Sequence, residues 1–149
     1  MCGINGIFHL NATRKVDENV LIKMRDALEH RGPDGKGIFI DNNIGLGHRR
    51  LSILDVSENG HQPFLSENKR FAMVFNGEIY NFKDFYPELK ANGFNIKTSS
   101  DTEVLLKLYQ LHGLKMLNKL NGMFAIAIWD NEEKKLVIVR DRIDRKSVV

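Results

Sequence analysis

Short strand-like segments set close together, with turn-forming residues between them, constrain this chain more than any other feature. Residues 37–41 and 44–48 read as two strands joined by Asn42-Asn43, a pair tolerant of left-handed backbone. Residues 123–129 and 135–140 repeat the pattern around Asp130-Asn131-Glu132-Glu133. Connections this short force antiparallel neighbours, because a parallel pair needs a crossover of a dozen residues or more. Residues 3–10 and 70–75 add two further strands. Helical spacing is rarer. Leu21, Met24 and Leu28 mark one face of a helix over 18–30, and Phe82, Phe85, Tyr86 and Leu89 mark another that ends near Gly93. Ser100-Asp101-Thr102-Glu103 forms a capping box ahead of Val104, Leu105, Leu108 and Leu111, which predicts a helix over 101–112. Runs of strands with two or three helices between them predict a layered α+β domain of antiparallel sheets.

The 149 residues suit one domain with a real core. The net charge of +3 is spread over separate pairs, Arg49-Arg50, Lys69-Arg70 and Lys134-Lys135. The densest basic stretch, 140–146, is broken by Asp141 and Asp144 and carries no aromatic interleaving, so no nucleic-acid partner is expected. A single cysteine forms no internal disulfide, and no cationic leader precedes an apolar core. The longest apolar run, 123–129, is too short for a bilayer. These features predict a cytoplasmic chain with no membrane partner. His9, His30, His48, His61 and His112 lack metal-ligand spacing, so no metal is expected.

The single cysteine is the second residue, where removal of Met1 would make it the amino terminus. A terminal cysteine carries a thiol and an α-amine on one residue. The amine titrates at about 7.7–8.0, so a useful fraction is neutral near pH 7 and can accept the thiol proton. The logic is that of a threonine nucleophile activated by its own terminal amine. Position alone leaves open an incidental thiol beside a start methionine.

Four polar strings stand at strand ends or helix starts: Arg31-Gly32-Pro33-Asp34, His48-Arg49-Arg50-Leu51-Ser52-Ile53-Leu54-Asp55, Asn76-Gly77-Glu78-Ile79-Tyr80-Asn81 and Ser100-Asp101-Thr102-Glu103. Such places present side chains from rigid elements. Together with Met1-Cys2-Gly3-Ile4 they resemble the glutamine-hydrolysing domain of class II (N-terminal nucleophile) amidotransferases, and within it the asparagine synthetase branch. The resemblance runs from residue 2 to 142, so residues 1–149 are expected to form one glutaminase domain.

The resemblance implies a four-layer αββα sandwich of two antiparallel sheets. It implies that Cys2 attacks the side-chain amide of glutamine, forming a γ-glutamyl thioester and releasing ammonia, before water frees glutamate. Asn76 and Gly77 match the family's oxyanion hole, through a side-chain amide and a backbone N–H, with no glycine Cβ to block substrate. Alone, Asn76-Gly77 reads as an ordinary turn after a strand. Arg50 matches the clamp on the α-carboxylate. On a strand Arg49 would face the other way, so only one of the two can enter the pocket. Backbone groups near Ile53 would add hydrogen bonds. Glu78 and Asp101 match the holders of the α-ammonium; alone, Glu78 is a solvated carboxylate and Asp101 an acid in a first helical turn. Ser100 and Glu103 are left as capping residues, and Arg31 with Asp34 as an ion pair or loop brace held by Pro33.

Two departures accompany the resemblance. Family members continue after Arg140-Asp141-Arg142 with a glycine and then Lys-Pro-Leu-Tyr, whereas here Asp144 and Ser147 replace the glycine and the proline, as in a domain truncated at its C-terminus. Full asparagine synthetases also carry an ATP-binding domain with a Ser-Gly-Gly loop, which this sequence lacks. No cofactor is therefore expected in this chain, and ATP and Mg2+ belong only to the synthetase domain. The implied partners are glutamine and an ATP-binding synthetase domain or subunit, with room for a homodimer. Two alternatives stand beside the asparagine synthetase reading: another acceptor, such as a sugar or a cell-surface polysaccharide, and a catalytically inactive remnant.

Overall fold

The computed structural model describes residues 2–52 and 60–142. Strands β1 (Gly3–Phe8), β2 (Gly35–Asp41) and β3 (Ile44–Arg50) form one antiparallel sheet in the order β1-β3-β2. Strands β4 (Phe64–Leu65), β5 (Phe71–Ile79), β6 (Gly122–Asp130) and β7 (Lys135–Arg140) form a second, in that order. Helix α1 (Glu18–Asp26) covers the first sheet, and α2 (Tyr86–Ala91) and α3 (Asp101–His112) cover the second. The two sheets face each other, so the layers run helix, sheet, sheet, helix. This is the α+β sandwich that the resemblance implies.

Side-chain alternation divides the core. On β5, Phe71, Met73 and Phe75 point to the helices and pack with Leu105, Leu108, Ile126 and Ile128. Ala72 and Val74 point the other way, into the seam with Ile44, Leu46 and Trp129. On the far side, α1 rests on glycines. A Cβ at Gly45 would stand 2.9 Å from Leu21 Cδ2, and one at Gly3 would stand 2.9 Å from Leu28 Cβ. Glycine at 45 lets the helix close on the sheet and glycine at 3 does the same for the turn after it, and Leu21 is fully buried there.

Several elements differ from the pattern in the sequence. Helix α1 stops at Asp26, short of the expected 30, and a 3-10 turn (Glu29–Arg31) follows; Met24 faces outward at 40% exposure. The helix at 101–112 has the expected bounds, with the Ser100 hydroxyl accepting the Thr102 N–H at 3.1 Å. Its capping box is only half formed. Glu103 accepts the backbone N–H groups of Lys97 (3.0 Å) and Thr98 (2.6 Å) instead of the Ser100 N–H, and pairs with Lys107 at 3.2 Å. Strand β5 runs four residues past its expected end at 75, because β6 pairs with it as far as Ile79↔Gly122. Asn76-Gly77 is therefore strand and not a turn. The two-residue β4 had no periodic signal.

His48 lies in the seam between the sheets with no exposed surface. Burial drives its pKa down to about 4, with the charges of Arg50 and His61 adding to the effect against the backbone of Phe75. An unfolded histidine titrates near 6.5, so between these values the unfolded chain takes up a proton that the folded chain refuses. His48 therefore lowers stability as the pH drops from about 6.5 to about 4, by on the order of 3 kcal/mol, and that contribution to the slope is lost in His48→Met. Urea unfolding followed by Trp129 fluorescence across that range measures it.

Candidate active site

Strand β1 begins immediately behind Cys2 and pairs with β3 in the register Gly3↔Arg49. That register sets Cys2 at the end of β3, where its Sγ receives the Leu51 N–H at 3.3 Å and lies 3.6 Å from the Leu51 carbonyl oxygen. Arg31 Nε donates to the Cys2 carbonyl at 3.2 Å. The Asp34 carboxylate accepts the Ser52 N–H at 2.8 Å. Among the described residues Arg31 and Asp34 do not pair with each other. Each instead braces the backbone beside the thiol, so the loop-brace expectation holds and the ion pair does not form.

Arg49 and Arg50 diverge as strand alternation requires. Arg49 turns under α1, 2.8 Å from Asp26 and 3.4 Å from Glu29. Hydrogen bonding from Arg25, with the charges of Arg25 and Arg49, holds the Asp26 carboxyl below the ordinary carboxylate range. Arg50 faces the opposite way and lines the cleft beside Cys2.

The opposite wall is the exposed end of β5. Even-numbered residues of this strand turn their backbone polar groups to β6, as the Asn131 N–H on Arg70 and the Tyr80 N–H on Asn121 show at its two ends. Odd-numbered N–H groups therefore point to the other edge, which β4 covers only opposite Ala72 and Met73. Side chains take three of them: Ser66 Oγ accepts from Phe71 (2.9 Å), Gln62 Oε1 from Phe75 (2.6 Å) and Asp101 Oδ2 from Ile79 (3.1 Å). By this alternation the Gly77 N–H belongs to the same edge; the residue is exposed, and among the described residues no hydrogen bond from that N–H is found. Asn76 and Glu78, on the seam face of the strand, are half-buried on either side of it.

Glycine is needed at 77 for a reason other than substrate access. A Cβ there would stand 2.2 Å from the Met123 carbonyl oxygen and 2.7 Å from Phe124 Cα, inside the backbone of β6. The clash lies between the strands.

Asp101 opens α3 at 5% exposure. Burial pushes its carboxyl pKa up, with Glu78 adding to the effect and the N–H groups of Ile79 and Thr102 opposing it. Cys2, Arg50, Asn76, Gly77, Glu78 and Asp101 thus line one cleft, while Ile53 lies outside the described residues. Gln62 and Thr102 also line it and were not singled out in the sequence, where an isolated glutamine in a loop and a threonine in a capping string give no chemical signal. The cleft presents a thiol, an outward backbone N–H, a guanidinium and two carboxylates. That set suits acyl transfer to sulfur from a small ligand carrying both charges. Among the described residues no group of His, Cys, Asp and Glu side chains is placed to hold a metal, and no helix is long and apolar enough to cross a membrane.

Comparisons with known proteins agree with this chemistry. The family described as a glutamine amidotransferase domain matches residues 1–149, and the chain belongs to that family. The glutamine-hydrolysing asparagine synthetase 2 of Bacillus subtilis is 45% identical over 150 residues, covering 98% of this chain and 19% of the relative. A putative asparagine synthetase of Methanocaldococcus jannaschii is 43% identical over 98% of this chain and 31% of its own length. Asparagine synthetase B of Escherichia coli is 38% identical over 96% of this chain and 26% of its own length. The chain thus spans less than a third of these relatives. The glutamine phosphoribosylpyrophosphate amidotransferase of Bacillus subtilis shares the fold, with a TM-score of 0.74, 23% identity, and coverage of 93% of this chain and 37% of that one.

Gly77→Ala is expected to destabilise the domain by about 1–3 kcal/mol, because β5 and β6 must part to admit the methyl group. Chemical denaturation of the purified variant measures this.

Proposed function

We propose that residues 1–149 form the glutaminase domain of an ATP-dependent asparagine synthetase, hydrolysing glutamine to glutamate and ammonia through Cys2. One observation carries the reading: the Cys2 thiol shares a cleft with a strand edge on which the Gly77 N–H is left to a ligand. After loss of Met1, the α-amine of Cys2 takes the thiol proton and sulfur attacks the amide carbon of the substrate. The Asn76 side-chain amide and the Gly77 N–H receive the developing oxyanion. Collapse of the tetrahedral intermediate breaks the C–N bond, the amine returns its proton to the leaving ammonia, and a γ-glutamyl thioester remains. Water then adds to the thioester, sulfur leaves with a proton, and glutamate is released.

Arg50 clamps the α-carboxylate with its planar guanidinium, and Glu78 and Asp101 hold the α-ammonium. The resemblance also implies a substrate contact at Ile53, which lies outside the described residues. No step calls for a cofactor. In this reading ATP and Mg2+ serve a separate aspartate-activating synthetase domain, and that domain is the partner that receives the ammonia. A single cysteine without an internal disulfide fits a cytoplasmic site for such a reaction.

Intact mass after treatment with diazo-oxo-norleucine tests the proposal. A single adduct on a chain lacking Met1, absent in Cys2→Ala, is expected; no adduct, or a retained Met1, refutes it. The charged form of Asp101 is the one that holds an ammonium, and its carboxyl titrates above the ordinary aspartate value. KM for glutamine should therefore rise on acidification before an exposed aspartate would protonate, and Asp101→Asn should raise KM and flatten that profile. Steady-state kinetics across the acidic range measures both.

A further inference from the structure

Beyond the thiol, its clamp and its carboxylates, one more polar side chain is built into the wall of the cleft. Gln62 is 6% exposed, and both ends of its carboxamide are engaged. Its Oε1 accepts the Phe75 N–H at 2.6 Å, and its Nε2 lies 3.5 Å from the Thr102 hydroxyl. Phe75 immediately precedes Asn76, and Thr102 immediately follows Asp101. One side chain therefore ties the strand that carries the oxyanion donors to the helix turn that carries the buried acid. The backbone beneath it is seated as firmly. A Cβ on Gly37 of β2 would stand 2.1 Å from the Gln62 carbonyl oxygen, so the loop bearing Gln62 lies directly on the first sheet.

The open edge of β5 explains why such a group is needed. The pairing with β4 ends at Met73, and the next outward N–H groups belong to Phe75, Gly77 and Ile79. Gln62 takes the first and Asp101 the last, each from a side chain anchored on another element. Gly77 is held between two fixed points, with its N–H directed into the cleft. Without the Gln62 acceptor the Phe75 N–H would lose its buried partner, and the segment just before Asn76 would be held on its β6 side alone.

We infer that Gln62 is a positioning residue for the glutaminase reaction: it fixes Asn76 and Gly77 in the geometry that receives the oxyanion, without itself touching the substrate. The inference rests on the function proposed above. Because the oxyanion exists only in the transition state, loss of this hold should lower kcat and leave KM for glutamine nearly unchanged.

The test compares glutamate release by wild type, Gln62→Met and Gln62→Glu, each first titrated with diazo-oxo-norleucine to count Cys2 sites able to react. Gln62→Met keeps the length and removes the acceptor. Its kcat should fall about 10- to 100-fold with KM within about twofold, a smaller loss than removal of an oxyanion donor itself causes. Gln62→Glu keeps an oxygen for the Phe75 N–H and should hold kcat within about threefold of wild type. A wild-type chain that takes no label overturns the glutaminase reading and this role with it. A labelled wild type whose Gln62→Met variant turns over at the wild-type rate, or loses affinity while keeping kcat, overturns the role of Gln62 alone. If the methionine variant does not label, its pocket has not formed, and Gln62→Glu decides: a retained kcat supports the role, and a loss beyond tenfold overturns it.

Discussion

Strand β5 is bonded along one edge by another strand and along the other mostly by side chains, and the geometry of the cleft follows from that asymmetry. On the β6 side the pairing is continuous from Phe71 to Ile79. On the other side β4 stops after two residues, and Ser66, Gln62 and Asp101 supply the acceptors that further strand would have supplied. A buried backbone N–H must be paired, whereas one opening on a cleft can wait for a ligand. Gly77 occupies that second situation. A longer β4 would have closed the edge and left no outward donor beside the thiol.

The same economy governs the opposite wall. Cys2 is positioned by backbone: the β1–β3 register brings it to Leu51, and Arg31 holds its carbonyl. Neighbouring arginines are separated by the pleat, so that Arg49 serves the packing of α1 while Arg50 is offered to the cleft. The glycines under α1 and at the β5–β6 crossing allow approaches that any side chain would prevent. Close contact between layers and shape of the cleft are thus set by the same residues, and His48 is sealed in the seam between them.

Much of this was legible along the chain. The hairpin at Asn42-Asn43 and the helix 101–112 carry local signals, a turn pair with positive φ at Asn42 and a side-chain cap, that do not depend on the rest of the protein. The site residues were legible for a different reason, since their strings match a family and their types suit one chemistry. What failed locally was overridden by contacts distant in sequence. Residues 76–79 have no strand-like alternation, yet β6 pairs with them from 43 to 49 positions away. Glu103 has the spacing of a capping partner, but the backbone N–H groups of Lys97 and Thr98 lie within its reach and claim it. Gln62 left no trace in the pattern, because its role exists only where β5 and α3 meet.

Sequence by itself thus determined the class of fold and the thiol and charged residues of the candidate site, all of which reside in residue type, order and spacing. Only the tertiary structure decided that Arg50 and not Arg49 faces the cleft, that Asn76-Gly77 is strand, that Gly77 is required by the backbone of β6, and that Gln62 holds the edge. These depend on register and on which backbone groups remain unpaired once the sheets have formed, and hydrogen-bond accounting across a sheet edge has no counterpart in a linear pattern.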